Sequence, residues 1–255
     1  MALSSISTKA KIGANVVVGD FTVIKDDVEI GNNVKIGSNI IIDNGARISD
    51  NVKLHHGAVI STIPQDMKFG GEVTTLEIGE NTVVREYATL NRGTKASGKT
   101  IVGKNCLLMA YAHVAHDCRV GNNVIIANCG NLGGHVEVDD WAIVGGIVAV
   151  HQYVKIGTHS IIAGFTKAVK DIPPYIMAGD NPMKFAGLNV IGLKRRGFTP
   201  DQIDGIRECY KLLYKSGLNI SDAIQNIKEE LPKTEEINII LSFISKSTRG
   251  ILTDK

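Results

Sequence analysis

The chain has 255 residues, 44% of them hydrophobic, a net charge of +2, and only one Trp, six Tyr and six Phe. That composition supports a buried core of small branched side chains, and its near balance of charge gives no reason to expect nucleic acid as a partner. No stretch approaches the roughly 18 apolar residues of a membrane span, and the start Met1-Ala-Leu-Ser-Ser-Ile-Ser-Thr-Lys has no apolar run suited to a signal peptide; we expect no stable membrane insertion and a cytoplasmic location.

From Ile12 onward every sixth residue is aliphatic: nine positions to Ile60, three from Ile78 to Leu90, and eleven from Val102 to Ile162, all Ile, Val or Leu. Neither a helix nor an isolated strand has that period. Gly follows the aliphatic residue at 13, 19, 31, 37, 79, 103, 121, 133, 145 and 157, which reads as recurring turn chemistry. The fourth residue past the aliphatic is mostly small or β-branched, as at Val28, Val34, Ile40, Ala46, Val52, Ala112, Val124, Val136, Ala142 and Val148. Each hexad therefore carries one short strand and two inward side chains. Three hexads closing a triangular coil, stacked at ~4.8 Å per rung, pair most backbone groups with the coils above and below. This is the hexapeptide-repeat parallel β-helix. Cys106 and Cys118 take inward places, Cys129 lies one place off, and no metal-ligand spacing joins them or Cys209, so inert thiols are expected.

The repeat lapses after Ile60, through Ser61-Thr-Ile-Pro-Gln-Asp-Met-Lys-Phe-Gly-Gly-Glu, and again from Arg92-Gly-Thr-Lys-Ala-Ser-Gly-Lys to Val102. A solenoid expels such insertions outward, where loops commonly carry function. The prism is expected over residues 1–175, with outward loops near 61–75 and 92–100, ending where Pro173 and Pro174 cannot donate to another rung. A small helical domain is expected over 176–255. Thr199-Pro-Asp-Gln reads as a capped helix start carrying Ile203, Ile206, Leu212 and Leu213, stopped by Gly217. Ser221 is expected to cap a second helix reaching Leu231-Pro232, and Thr234 a third.

With eighteen residues per coil, position on the prism follows from residue number. His113, His116, His135 and His151 leave remainders of 5, 8, 9 and 7 on division by eighteen, whereas His55, His56 and His159 leave 1, 2 and 15. Four of the seven histidines thus share one corner, and His116, Gly134 and Gln152 form one column. Neutral imidazoles there suit acyl transfer to a hydroxyl, as base and donors, or three could bind Zn²⁺ between subunits. Asp117, directly beside His116, can support an imidazolium, and Gly134 offers an unobstructed N–H to an oxyanion.

Pro64-Gln-Asp-Met-Lys-Phe-Gly-Gly-Glu, Asn91-Arg-Gly-Thr, Ala112-His-Val-Ala-His-Asp-Cys, Gly134-His-Val, Val150-His-Gln and Gly192-Leu-Lys-Arg-Arg-Gly-Phe together resemble the UDP-N-acetylglucosamine O-acyltransferase family, which performs the first step of lipid A synthesis. The resemblance covers nearly the whole chain. It implies an all-β left-handed parallel β-helix followed by a small α-helical domain, assembled as a homotrimer with sites between subunits. It also implies transfer of a 3-hydroxyacyl chain from acyl carrier protein to the sugar 3-hydroxyl of UDP-N-acetylglucosamine. No cofactor or metal is expected.

Carried over residue by residue, His116 matches the general base, Asp117 its orienting partner, and Gly134 the oxyanion donor. Asp66 and Lys68, joined by Gln65, match sugar-positioning residues, and His113, His135, His151 and Gln152 line the sugar and acyl pocket. Asn189 and Arg195 match nucleotide-holding positions, Arg195 as the diphosphate contact. Gly164 matches the place where acyl length is set; with no side chain there, an acyl chain of about fourteen carbons or more is expected. Lys167, Lys170, Lys184, Lys194 and Arg196 are candidates for docking the acidic carrier protein. Ile191, Pro182 and Ser61 depart from the family pattern, where an acidic residue, a His and a turn Gly are usual. Two other readings are a trimeric zinc hydratase resembling the γ-class carbonic anhydrases and a non-catalytic scaffold.

Overall fold

The computed structural model describes residues 3–253; Met1 and Ala2 of the N-terminal stretch discussed above lie outside them. Three parallel sheets form the faces of a prism. Face A runs from Ser5–Ile6 to Lys167–Ala168, face B from Lys11–Ile12 to Lys155–Ile156, and face C from Val17–Val18 to Ile176–Gly179 with an antiparallel final strand, Lys184–Leu188. Most strands are only two residues long, and Val23–Ile24 pairs with Ile41–Ile42 eighteen residues on, as the coil length requires. The aliphatic and small positions stack as one core: Ile42, Ile60, Leu90, Leu108, Ile126 and Leu132 on one set of columns, with Ala58, Ala88, Ala112 and Val148 on the other, all show no exposure. On the first coil the inward Ile6 and Ile12 remain exposed.

At most corners the turn depends on a residue near φ +60° three places after the aliphatic position, including Asn15, Asn33, Asn105, Asp117, His135, Trp141 and Tyr153. The recurrent glycines one place after the aliphatic residue are not the left-handed residues. They answer a packing demand: a Cβ on Gly13 would lie 2.6 Å from the Gly31 carbonyl carbon, and one on Gly103 would lie 2.4 Å from the Gly121 oxygen. Inward polar groups find acceptors on the neighbouring coil, as where Thr22 Oγ1 donates to the Gly37 carbonyl at 2.9 Å and Cys118 Sγ to that of Gly133 at 3.1 Å. Burial pushes the Cys118 thiol up to about 12, so it is inert.

The outward file of face B holds Lys11, Glu29, Arg47, Glu77, Ile101, Arg119, Glu137 and Lys155 in direct cross-strand register. Within it Lys11 and Glu29 pair at 2.8 Å, and Lys155 and Glu137 at 3.4 Å.

The sheet continues past residue 175, the expected end of the prism. Pro174 packs beneath Gly157, after which Ile176–Gly179 still joins face C and Lys184–Leu188 returns beside it. A proline interrupts one donor, not the course of an edge strand. Four helices follow: α1 (Val190–Arg195), α2 (Pro200–Lys215), α3 (Ile220–Glu230) and α4 (Glu235–Ser245). The Thr199 capping box and the Thr234 cap form as expected, whereas α3 is capped by Asn219 in place of Ser221, its side chain accepting from Asp222 N–H at 2.9 Å. Asn219 has the extended backbone a cap needs, and Ser221 falls inside the first turn. The short helix α1 has no apolar period and was not anticipated. No helix among the described residues is long and apolar enough to cross a membrane.

Prism and helices meet at an aromatic stack. His159 lies between Trp141 and Tyr175, at centroid distances of 6.1 and 5.7 Å, with Phe198 edge-on at 5.1 Å. The Arg196 guanidinium sits over Trp141, and its Nη1 is 3.2 Å from His159 Nδ1. Arginine only donates, so that nitrogen must be unprotonated. Burial, reinforced by the Arg196 charge, accordingly holds His159 down at about 4, against the ordinary 6.5. Between those two values the unfolded chain binds the extra proton, so His159 makes stability fall as pH falls from 6.5 to 4. We expect melting temperatures measured across this window to fall less steeply for His159→Phe than for the native chain.

Candidate active site

The corner between faces A and B gathers the features that the sequence scattered. Both expelled segments, 63–74 and 92–98, leave the prism there, and directly along the same edge come the turns holding 115–118, 133–136 and 151–154. The two loops brace each other: Asn91 Nδ2 donates to Thr62 Oγ1 at 2.9 Å and to the Ile63 carbonyl at 3.1 Å, and Arg92 lies over the Phe69 ring. Ser61 is left-handed at φ 64, its hydroxyl donating to the Asn44 carbonyl.

Asp117 is the electrostatic centre. Its side chain is fully shielded, and His116 Nδ1 lies 2.8 Å from its Oδ2. Thr94 N–H reaches Oδ1 at 3.0 Å, Thr94 Oγ1 reaches Oδ2 at 2.8 Å, and Ser97 Oγ also contacts Oδ1. Burial alone would raise the Asp117 pKa, but donation from Ser97, His116 and Thr94 overcomes it and holds the carboxyl at about 2. The carboxylate therefore only accepts, which makes His116 Nδ1 the protonated nitrogen and leaves the lone pair on Nε2.

Gly134 lies under the His116 ring: a Cβ there would be 2.6 Å from Cε1 and 2.7 Å from Nε2. At the corner between faces B and C, amides at the same place in the hexad are occupied by side chains of the next coil, as with Ala14 N–H on Asn32 Oδ1 at 2.8 Å and Lys104 N–H on Asn122 Oδ1 at 2.9 Å. The Gly134 N–H has no protein acceptor among the described residues.

His135 meets His116 edge to face at 5.1 Å and stacks on Tyr153 at 4.4 Å, with its Nε2 3.7 Å from Asp117 Oδ2. His113, on face A, shares a 2.7 Å hydrogen bond with Thr89 Oγ1. Burial lowers the pKa of both His113 and His135, favouring neutral imidazoles that donate or accept without carrying charge. His151 and Gln152 are exposed on the next coil, His151 Nδ1 lying 3.1 Å from the Gln152 carbonyl. Asp66 is close enough for its charge to act on His135, while Gln65 and Lys68 project from the first loop into solvent. His116, Asp117 and His135 offer ligand atoms within 4.8 Å of one another, the spacing of a metal centre. Yet the four donors on Asp117 already use its acceptor capacity, so a cation would have to displace them.

Asn189 and Arg195 stand apart from the histidines, lining a 640 Å³ cavity at the junction of face C and α1 with Ile143, Ile161, Met177 and exposed Ile191. Asn189 is buried and its side chain is engaged at both ends: Nδ2 donates to the His159 carbonyl at 2.8 Å and Oδ1 caps α1 through Gly192 N–H at 3.0 Å. It aims α1, and thereby Arg195. Arg196 is likewise engaged by the aromatic stack, which leaves exposed Lys167, Lys170 and Lys194 and half-buried Lys184 from the expected docking patch. Gly164 lies at the third corner, across face A from the histidines, where a Cβ would meet the Gly146 oxygen at 3.0 Å beside exposed Phe165.

Thr89, Thr94, Ser97 and Tyr153 were not anticipated as parts of the site. Tyr153 was within reach of the eighteen-residue ruler, being one coil from His135; Thr94 and Ser97 arrive through an irregular loop that the ruler does not measure.

Residues 171–252 match the domain family described as UDP N-acetylglucosamine O-acyltransferase, domain 2, and residues 9–39 and 99–134 match the bacterial transferase hexapeptide family. A curated relative from Burkholderia lata, an acyl-[acyl-carrier-protein]--UDP-N-acetylglucosamine O-acyltransferase, is 43% identical over 78% of each chain. Among solved structures, the UDP-N-acetylglucosamine acyltransferase of Bacteroides fragilis is 45% identical, with 99% of each chain covered and a TM-score of 0.96. That of Francisella novicida is 37% identical, covering 100% of this chain and 94% of its own, with a TM-score of 0.96.

The contact beneath His116 has a direct consequence. Gly134→Ala should force the ring aside and lower turnover steeply while the melting temperature, set by the aliphatic columns, changes little; calorimetry beside a steady-state assay checks both.

Proposed function

Because the chain belongs to the UDP-N-acetylglucosamine O-acyltransferase family, with its left-handed parallel β-helix and helical C-terminal domain, we propose how its own residues carry out that acyl transfer. It is an acyltransferase of the first step of lipid A biosynthesis. Its acyl donor is a 3-hydroxyacyl thioester on acyl carrier protein and its acceptor the 3-hydroxyl of UDP-N-acetylglucosamine.

His116 Nε2 takes the proton of the sugar hydroxyl as the oxygen bonds to the thioester carbonyl carbon. The carbonyl oxygen becomes an oxyanion, received by the free Gly134 N–H. Collapse breaks the carbon–sulfur bond, and the new imidazolium returns its proton to the departing thiolate. Asp117 stabilises that imidazolium through Nδ1 and stays ionised throughout. The observation that carries this reading is the pairing of an Nδ1-anchored His116 with a glycine packed against its ring whose N–H has no protein acceptor among the described residues.

Asp66, Lys68 and Gln65 on the first loop are assigned to the sugar, with His113, His135, His151 and Gln152 around the sugar and the start of the acyl chain. Arg195 is assigned to the diphosphate, with Asn189 fixing the helix that carries it. The junction cavity and the histidine corner share no lining residue. This separation supports a homotrimer in which one subunit's cavity completes its neighbour's corner. Exposed Tyr111, Ile147 and Phe165 on the third corner support the same assembly.

His116→Ala should abolish ester formation, measured by mass spectrometry of the product, while light scattering finds the assembly unchanged; retained turnover would refute the assignment. The third corner gives a second expectation. A side chain introduced by Gly164→Met should shift preference among a ladder of 3-hydroxyacyl carrier proteins toward shorter chains, and an unchanged preference would remove Gly164 as the limit.

A further inference from the structure

The segment 92–98 interrupts the hexads at the active corner, and three of its donors turn onto one carboxylate. It folds against the far side of Asp117. Its path is tightly constrained: a Cβ on Gly93 would lie 2.4 Å from Lys99 N, and Gly98 turns at φ 75 with its N–H on the Thr94 carbonyl at 2.8 Å. Thr94 is buried, and the proton accounting of its hydroxyl closes. Oγ1 accepts from Ala96 N–H at 3.1 Å, so its own proton is free to go to Asp117 Oδ2. Ser97 Oγ reaches both the Lys99 carbonyl and Asp117 Oδ1; its single proton goes to the carboxylate, the stronger acceptor. A further tie comes from the rung, where the Asp117 N–H donates to Thr100 Oγ1 at 2.8 Å.

With Thr94 N–H included, three of the four donors on the carboxylate come from this one excursion, and the fourth is His116. We propose that Thr94 and Ser97 are positioning residues, and that the interruption at 92–98 exists to fill every acceptor site of Asp117 except the one aimed at His116 Nδ1. A carboxylate so held cannot rotate toward solvent. It presents one lone pair in one direction, and that lone pair selects the His116 tautomer whose Nε2 is free. The proposal rests on His116 acting as the base.

The test uses Thr94→Val, which keeps the shape and the amide but removes the hydroxyl, beside Thr94→Ser, which restores it, each alone and in an Asp117→Asn background. Thr94→Val should lower kcat by about tenfold or more, the scale of one lost hydrogen bond to a charged group, with KM for both substrates unchanged. Thr94→Ser should recover most of the rate. In the Asp117→Asn background the same change should cost less than about twofold, because residues acting through one group are not additive. Nitrogen-15 spectra of the His116 ring should show Nδ1–H in the native protein and a tautomer mixture in Thr94→Val. Exposed Ser97→Ala supplies the same comparisons should the buried substitution fail to fold. Full activity in both the Thr94 and Ser97 variants, or equal losses with and without Asp117, overturns the proposal. Turnover retained by His116→Ala would instead remove the catalytic reading beneath it, so the two failures are distinct.

Discussion

Between one short strand and the next, the chain turns by holding a single residue near φ +60°, and at most corners that residue is not glycine. Isolated, each such residue costs about 1–2 kcal/mol; here the coils above and below hold it through backbone bonds such as Cys129 N–H to the Ala110 carbonyl at 3.0 Å and His135 N–H to that of His116 at 3.0 Å. The conformation points the side chain out from the edge of the prism, and stacking places the next such side chain directly beside it. Asn15 and Asn33 meet this way at 3.1 Å, and Trp141, His159 and Tyr175 continue the same edge as an aromatic stack. On the histidine edge the same demand places Asp117, His135 and Tyr153 in one file. The geometry proposed for catalysis is thus a local use of the turn that the coils share.

The sequence period carried the architecture because aliphatic burial repeats without regard to detail, and residue number alone brought four histidines to one edge. It could not identify the left-handed residue, since Asn33, Tyr87, Asp117 and Ile147 all occupy that place and share no composition. The glycines two places before it have the composition of turn formers, whereas close approach of successive coils is what requires them. Packing between coils is a contact across eighteen residues and leaves no local mark. The same limit explains Asn189 and Arg196: their polar groups suggested ligand contacts, and it took tertiary partners to show that a cap and an aromatic stack occupy them.

Loops made the remaining difference. Each interruption was legible as an excursion, and its exit at the histidine edge could have been computed. Which way its side chains faced could not. The first loop turns Asp66 toward the histidines, while the second turns Thr94 and Ser97 onto the back of Asp117. One edge therefore has a front and a back, each supplied by a different insertion into an otherwise uniform coil.

Uniformity carries a hazard of its own. Columns of Ile, Val and Leu are interchangeable, so burial alone does not specify which coil lies on which, and a chain that skipped a rung while coiling would still bury its core. The outward file on face B distinguishes the alternatives. Its signs alternate over the first four rungs, from Lys11 through Glu29 and Arg47 to Glu77, and again from Arg119 through Glu137 to Lys155. Skipping one coil would set Lys11 against Arg47, Glu29 against Glu77 and Arg119 against Lys155, like charge against like in each case. Skipping two would restore opposite signs at Lys11 and Glu77 but meet uncharged Ile101 opposite Glu29. The file acts as a parity check on coil order, written on the surface beside aliphatic columns that are interchangeable.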